Sequence, residues 1–172
     1  MPAPRILRRF TPLAAACLSA SVGLSSIAFA QEPAATTQAV QIGDPFPQWE
    51  LTDQHDETHR LPGEATQAVV FSRSKQADET LSPVLESVAG ERLVSGDVVY
   101  LSDISRMPGL ISRLFALPSL RDRDYPVVLI REEGVSAPLV TETDCLALYR
   151  LEQGTVVARE DLCAEEEVKN AF

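Results

Sequence analysis

The sequence predicts an α/β protein: a central mixed sheet flanked by helices, with an N-terminal hairpin and a disulfide-clamped C-terminal hairpin. Three observations carry this. Val69-Val70-Phe71, Val98-Val99-Tyr100-Leu101 and Val127-Val128-Leu129-Ile130 are short continuous apolar runs, the pattern of strands buried on both faces. Between them stand apolar residues at helical spacing, so strands alternate with helices and parallel crossovers follow. Near the C-terminus two further strand-like segments surround Glu152-Gln153-Gly154, and a cysteine lies at the outer end of each.

Taken in order, the first thirty residues read as an address. Arg5, Arg8 and Arg9 make a positive start, and Leu13 to Ala20 with Val22, Leu24 and Ile27 give a modest apolar stretch. Ala28-Phe29-Ala30 places small residues where a signal peptidase reads them. The expectation is a signal peptide over 1–30, cleaved before Gln31, and export to a bacterial periplasm. Cys17 is a poor lipoprotein site, and Arg8-Arg9-Phe10 only partly matches a twin-arginine signal. Residues 31–39 are a polar, small-residue leader without periodicity, expected to be flexible. Residues 40–172 form the single domain, and no later apolar run is long enough to span a membrane.

Gly43-Asp44-Pro45-Phe46-Pro47 is a turn-rich entry to a short strand at Trp49-Glu50-Leu51. Asp53 to His59 then reads as a tight hairpin turn, with Asp56 suited to a left-handed backbone. After the strand at Val69, Leu81, Val84, Leu85 and Val88 mark the core face of a helix with Ser82-Pro83 near its start. A second helix, opened by Pro108, carries Leu110, Ile111, Leu114 and Phe115. Glu165 to Phe172 reads as a short acidic helix.

Removing the address leaves two cysteines, Cys145 and Cys163, and an oxidising compartment favours pairing them. A hairpin centred on Gln153 and Gly154 sets residue 145 opposite 162 or 163, depending on whether Gly154 forms a bulge. Cross-strand neighbours lie close enough for a disulfide. Such a bridge stabilises by about 3 kcal/mol through loop entropy. No cation stands beside either sulfur in the sequence, so the pair reads as a structural staple more readily than as a redox centre.

Ile42-Gly43-Asp44, Phe46-Pro47 and Leu51-Thr52-Asp53-Gln54, followed by strand, helix, strand, helix, strand and hairpin, resemble the peroxiredoxin and thioredoxin-like group. Ser82 to Ala89 resembles the thioredoxin helix after the active site. Asp103 to Tyr125, with Met107-Pro108-Gly109-Leu110-Ile111-Ser112-Arg113 and Tyr125-Pro126, is similar to YtfJ-like periplasmic proteins and to small secreted proteins labelled FAD/FMN-containing dehydrogenase. The resemblance implies a thioredoxin-like fold over about residues 40–165. It departs from the group where the chemistry sits. The two positions of the group's Cys-x-x-Cys motif hold Lys75 and Asp78, Val69 to Leu85 contains no cysteine, and Thr141-Glu142-Thr143-Asp144 lacks the proline expected before the last hairpin. The flavin label finds no Gly-x-Gly-x-x-Gly turn, and Ser72-Arg73-Ser74 only faintly echoes a flavodoxin phosphate loop. The expectation is a periplasmic thioredoxin-like domain without a redox centre or cofactor, acting as a binding or scaffold module. The alternatives are thiol–disulfide exchange through Cys145 and Cys163, or a flavin-dependent oxidoreductase.

Three clusters stand out as candidate sites. Ser72-Arg73-Ser74-Lys75 joins the first core strand to the first helix, where helix-start N–H groups and two cations could hold an anion. The plainer reading is a solvated loop whose serines cap the helix. His55 and His59 with Asp53, Asp56 and Glu57 are a metal-type set read as a polar hairpin, with no metal expected. Charge is uneven: the chain carries -10, and removing Arg5, Arg8 and Arg9 leaves -13. Against this, Arg106, Arg113, Arg121, Arg123 and Arg131 outnumber Asp122 and Asp124 between residues 106 and 131. That segment reads either as a docking face for an acidic periplasmic protein or as a self-paired loop. The net negative charge disfavours nucleic acid and anionic membranes.

Overall fold

The computed structural model describes residues 38–108 and 117–172. The signal, the leader up to residue 37, the helix expected at Leu110 to Phe115, and Arg113 lie outside them. The described elements are β1 (Trp49–Asp53), β2 (Thr58–Leu61), β3 (Ala68–Ser72), α1 (Lys75–Thr80), α2 (Ser82–Ser95), β4 (Val98–Asp103), α3 (Leu117–Arg121), β5 (Val127–Ile130), β6 (Leu146–Glu152), β7 (Thr155–Leu162) and α4 (Glu165–Ala171).

The three apolar runs are the parallel centre of one seven-stranded sheet, ordered β2-β1-β5-β4-β3-β6-β7. Antiparallel pairs complete it on both sides: β1 with β2 and β5, β6 with β3 and β7. The two-residue side-chain period of each central strand feeds two cores. On one face Val70, Tyr100, Val127, Leu129, Leu146 and Leu148 meet Leu85, Ala89 and Leu93 of α2, Leu120 of α3 and Val168 of α4. On the other Val69, Phe71, Leu101, Val128, Ile130 and Tyr149 pack with Phe46 and Leu139.

Two sequence expectations shift. The buried face of α2 runs Leu85, Ala89, Leu93 with Leu81 ahead of it, while Val84 and Val88 are only partly buried. The helical layer is also broken in two, because Pro83 at the start of α2 has no N–H to continue the ladder from α1. Lys75 is therefore the first residue of a helix and not part of a loop.

The C-terminal hairpin answers the register question left by the sequence. Gln153 (φ 50°) and Gly154 (φ 78°) both take left-handed backbone, forming a tight two-residue turn with Glu152 opposite Thr155. The bulge lies farther along: Leu151 faces Val156, yet Arg150 faces Ala158, so Val157 is the extra residue. That shift by one sets Leu146 opposite Leu162 and brings Cys145 against Cys163, which form a disulfide with Cα atoms 4.2 Å apart.

At the first hairpin, Asp56 has φ 65°, as its residue type allows. Gln54, fully buried, donates to the Tyr125 carbonyl at 2.8 Å and accepts from the Val127 N–H at 2.7 Å. Its side chain thus satisfies the backbone on both sides of Pro126, and the turn of one hairpin is bonded to the entry of β5. The Leu61–Pro62 peptide is cis. Among the described residues, no helix is long and apolar enough to cross a membrane.

Candidate functional site at the carboxyl end of the parallel strands

In an open α/β sheet, ligands bind beyond the carboxyl ends of the strands, where chains diverge to opposite faces. Here that edge gathers Ser72 from β3, Ser102 and Asp103 from β4, the start of α1, and the segment leading into β6. Ser74 is the N-cap of α1 and accepts from the Ala77 N–H, which is what Ser does best at a helix start. Its hydroxyl donates to Asp144 Oδ1 at 2.5 Å. Asp144 stands directly before Cys145 and holds φ 59°, a conformation that few residues except Asp and Asn take without cost.

Beneath this surface pair lies a polar cluster. Asp78, turned inward from α1, accepts from Tyr100 Oη through Oδ1 and from Ser102 Oγ at 3.2 Å through Oδ2. Ser82 donates to the Asp78 carbonyl and accepts from Arg123 Nη2 at 2.7 Å. Arg123 also donates to Tyr125 Oη, and the Tyr125 ring meets Tyr100 edge-on at 6.4 Å. Burial lifts the Asp78 carboxyl above its ordinary pKa, against the pull of the Ser72, Tyr100 and Ser102 hydroxyls and of Arg123. Burial, with Asp78 beside it, pushes the Tyr100 phenol well up.

A second chain of bonds closes the same edge from the other face. Arg73 Nη2 donates to the Leu139 carbonyl at 3.0 Å and to the Ser136 carbonyl and hydroxyl at 3.3 and 3.4 Å. Ser136 Oγ in turn donates to Asp103 Oδ2 at 2.5 Å, and Asp103 Oδ1 accepts from Ser105 Oγ at 2.6 Å. The Arg73 guanidinium also sits 5.1 Å from the Phe71 ring centre.

The four loop residues singled out from the sequence do adjoin this edge, but they have divided duties. Ser72 is buried, Ser74 caps α1, Arg73 is held by the segment 136–139, and Lys75 pairs with Glu79 on the surface at 2.6 Å. The arginines proposed as a docking face go to different places. Arg121 donates to the Gln54 carbonyl at 3.0 Å and lies 3.9 Å from Asp56, Arg123 serves the Asp78 cluster, and Arg131 donates to Asp56 at 3.0 Å. Arg106 is exposed and makes no hydrogen bond or ion pair among the described residues. Sequence reasoning missed Tyr100, Ser102, Asp103, Ser136 and Asp144. The available signal was Ser102-Asp103, a polar ending on an otherwise apolar strand.

No protein-family model matches the chain, and no curated protein is similar to it. Solved structures are. The thioredoxin domain of a thiol-disulfide oxidoreductase from Bacteroides vulgatus is 13% identical with TM-score 0.54, over 77% of this chain and 96% of that one. A thio-disulfide isomerase from Thermus thermophilus is 21% identical with TM-score 0.51, over 77% and 94%. A peroxiredoxin-like protein from Aquifex aeolicus is 13% identical with TM-score 0.52, over 77% and 86%. At these identities the likeness concerns the fold.

Proposed function

This chain has a thioredoxin-like fold whose first helix starts without sulfur, and we propose that it is an exported, non-catalytic member of that fold acting as a protein-binding or scaffold module. The observation that carries the reading is the bond between Ser74 and Asp144. It occupies the helix start where the resembled group keeps its thiols, and a hydroxyl bonded to a carboxylate cannot exchange with a disulfide. Lys75 and Asp78, at the two positions of the missing motif, are a surface ion-pair partner and a buried acceptor. The cysteines that remain after signal cleavage are joined across β6 and β7, where they act as a staple. Export rests on the first thirty residues, so the secreted chain starts at Gln31, keeps residues 31–39 as a leader and works in the periplasm. Its partner is a periplasmic protein.

A second reading has one observation in its favour. Cys145 follows Asp144 directly, so the disulfide adjoins the edge where this fold carries out its chemistry, and Cys163 is exposed. Thiol–disulfide exchange through Cys145 and Cys163 would use that position. Insulin reduction and thiol-dependent peroxide consumption separate the two readings. The scaffold reading expects background rates for the mature chain and for the Cys145→Ser/Cys163→Ser double variant. Turnover that disappears in the double variant refutes it. Intact mass of the periplasmic protein tests the processing, and crosslinking in the periplasm identifies the partner.

A further inference from the structure

The first hairpin folds three metal-ligating side chains onto one another. Asp53 at the end of β1, Glu57 in the turn and His59 on β2 bring one imidazole nitrogen and two carboxylate oxygens within 4.8 Å of one another. All three belong to the metal-type set noted in the sequence, where the four-residue spacing of His55 and His59 across a hairpin turn carries no geometric force and the set reads as a plain polar hairpin. Of the five residues in that set the structure groups Asp53, Glu57 and His59, and leaves His55 and Asp56 outside.

Each member is prepared differently. Asp53 is buried, and its Oδ1 accepts the N–H groups of His55 at 2.7 Å and Glu57 at 3.0 Å, which fixes the plane of the carboxylate. Its other oxygen, Oδ2, faces His59 Nε2 at 2.8 Å. Glu57 is exposed, and its carboxylate makes no hydrogen bond or ion pair among the described residues. The neighbouring guanidinium groups are directed elsewhere: Arg121 and Arg131 both address Asp56, and Arg131 also donates to the Asp53 carbonyl. Two carboxylates and one imidazole therefore converge, with Asp53 buried, His59 partly buried and Glu57 exposed.

We propose that Asp53 Oδ2, Glu57 and His59 Nε2 form a three-ligand site for a divalent transition-metal ion of the zinc class, with water in the fourth position. Donor atoms around a tetrahedral zinc lie about 3.3 Å apart, given bond lengths of about 2.0–2.2 Å. The 2.8 Å pair opens by about half an ångström to admit the ion, and the Glu57 side chain swings in from solvent. Metal on Nε2 requires the Nδ1–H tautomer of His59, so a proton on Nε2 passes to solvent while Nδ1 carries the ring's one N–H. An imidazole donor selects zinc over magnesium or calcium, which prefer all-oxygen sites. The Asp53 bonds to two backbone N–H groups are the orienting contacts that metal-binding carboxylates ordinarily have. Bound metal would tie β1 to β2 at the mouth of the turn.

The test uses the untagged mature chain, stripped with a chelator and titrated with zinc chloride by calorimetry, with cobalt(II) absorption as a second readout. One zinc per chain is expected, with visible bands of tetrahedral cobalt. His59→Gln and Glu57→Gln should each weaken binding by about tenfold or more, and His55→Gln should leave it unchanged. Both ligand variants keep Asp53, which holds the turn, and circular dichroism checks that they fold. No saturable binding up to about 100 μM zinc, or full affinity in either ligand variant, overturns the assignment. Loss of binding in His55→Gln overturns it as well.

Discussion

Tyr100→Phe is the substitution that tests the polar cluster under α1 most directly. It removes one oxygen from a fully buried ring and leaves the packing against Tyr125 in place. The lost bond ends on Asp78, whose carboxyl burial holds above its ordinary pKa. A hydrogen bond to a charged group contributes about 1.5–3 kcal/mol, and one between neutral groups about 0.5–1.5 kcal/mol. Once the pH is high enough to ionise Asp78, Tyr100→Phe should cost about 2 kcal/mol. In acid, with Asp78 protonated, the cost should fall to about 1 kcal/mol. The sign follows from linkage. A carboxyl whose folded pKa is raised binds its proton more tightly when folded, so its contribution is intact below the unfolded pKa and is lost as pH rises through the folded one. Removing a donor to the ionised form raises that pKa further and deepens the loss. Asp78→Asn removes the titration and should flatten this part of the stability profile. Urea unfolding followed by fluorescence of the single tryptophan, Trp49, measures all three proteins across acid and neutral pH. Equal costs for Tyr100→Phe at the two pH values, or an unchanged profile in Asp78→Asn, would refute the assignment of Asp78 as a buried titrating acceptor.

The disulfide closes a separation of 18 residues, so the Cys145→Ser/Cys163→Ser variant should lose about 3 kcal/mol in denaturant unfolding. The native chain should show no alkylatable thiol without reductant, and labelling of both cysteines would contradict the staple. Gln54→Ala should cost about 2–5 kcal/mol, because it strands the Tyr125 carbonyl and the Val127 N–H in the interior. A loss under about 0.5 kcal/mol, the range of ordinary surface substitutions, would mean water replaces the amide at that position.

How much was legible depended on the range of the interaction. The three apolar runs became β3, β4 and β5, since burial on both faces keeps a strand apolar up to its polar carboxyl end. Asp56 and Gly154 sit at left-handed positions, because that backbone preference is a property of the residue itself. The short acidic helix read at Glu165 to Phe172 is present over Glu165–Ala171. The pairing of Cys145 with Cys163 was half legible: the turn narrowed the partner to within one residue, and the bulge at Val157 chose it. No local preference marks Val157 for that role.

The candidate site was scarcely legible at all. Ser74 meets Asp144 across 70 residues, and Asp78 meets Tyr100 and Ser102 across 22 and 24. Arg73 read as an anion-holding cation, and Arg121 and Arg123 as a docking face or a self-paired loop, yet each donates to a carbonyl or hydroxyl brought to it by the fold. The sequence by itself determined the strand order along the chain, the turns, a stretch from Val69 to Leu85 without cysteine and the residue types available at the strand ends. Tertiary structure alone decided which of those polar groups face one another. Apolar patterning is written in periods of two and three to four residues. Hydrogen-bond partners are chosen by strand order and register, which bring together groups that the chain holds far apart.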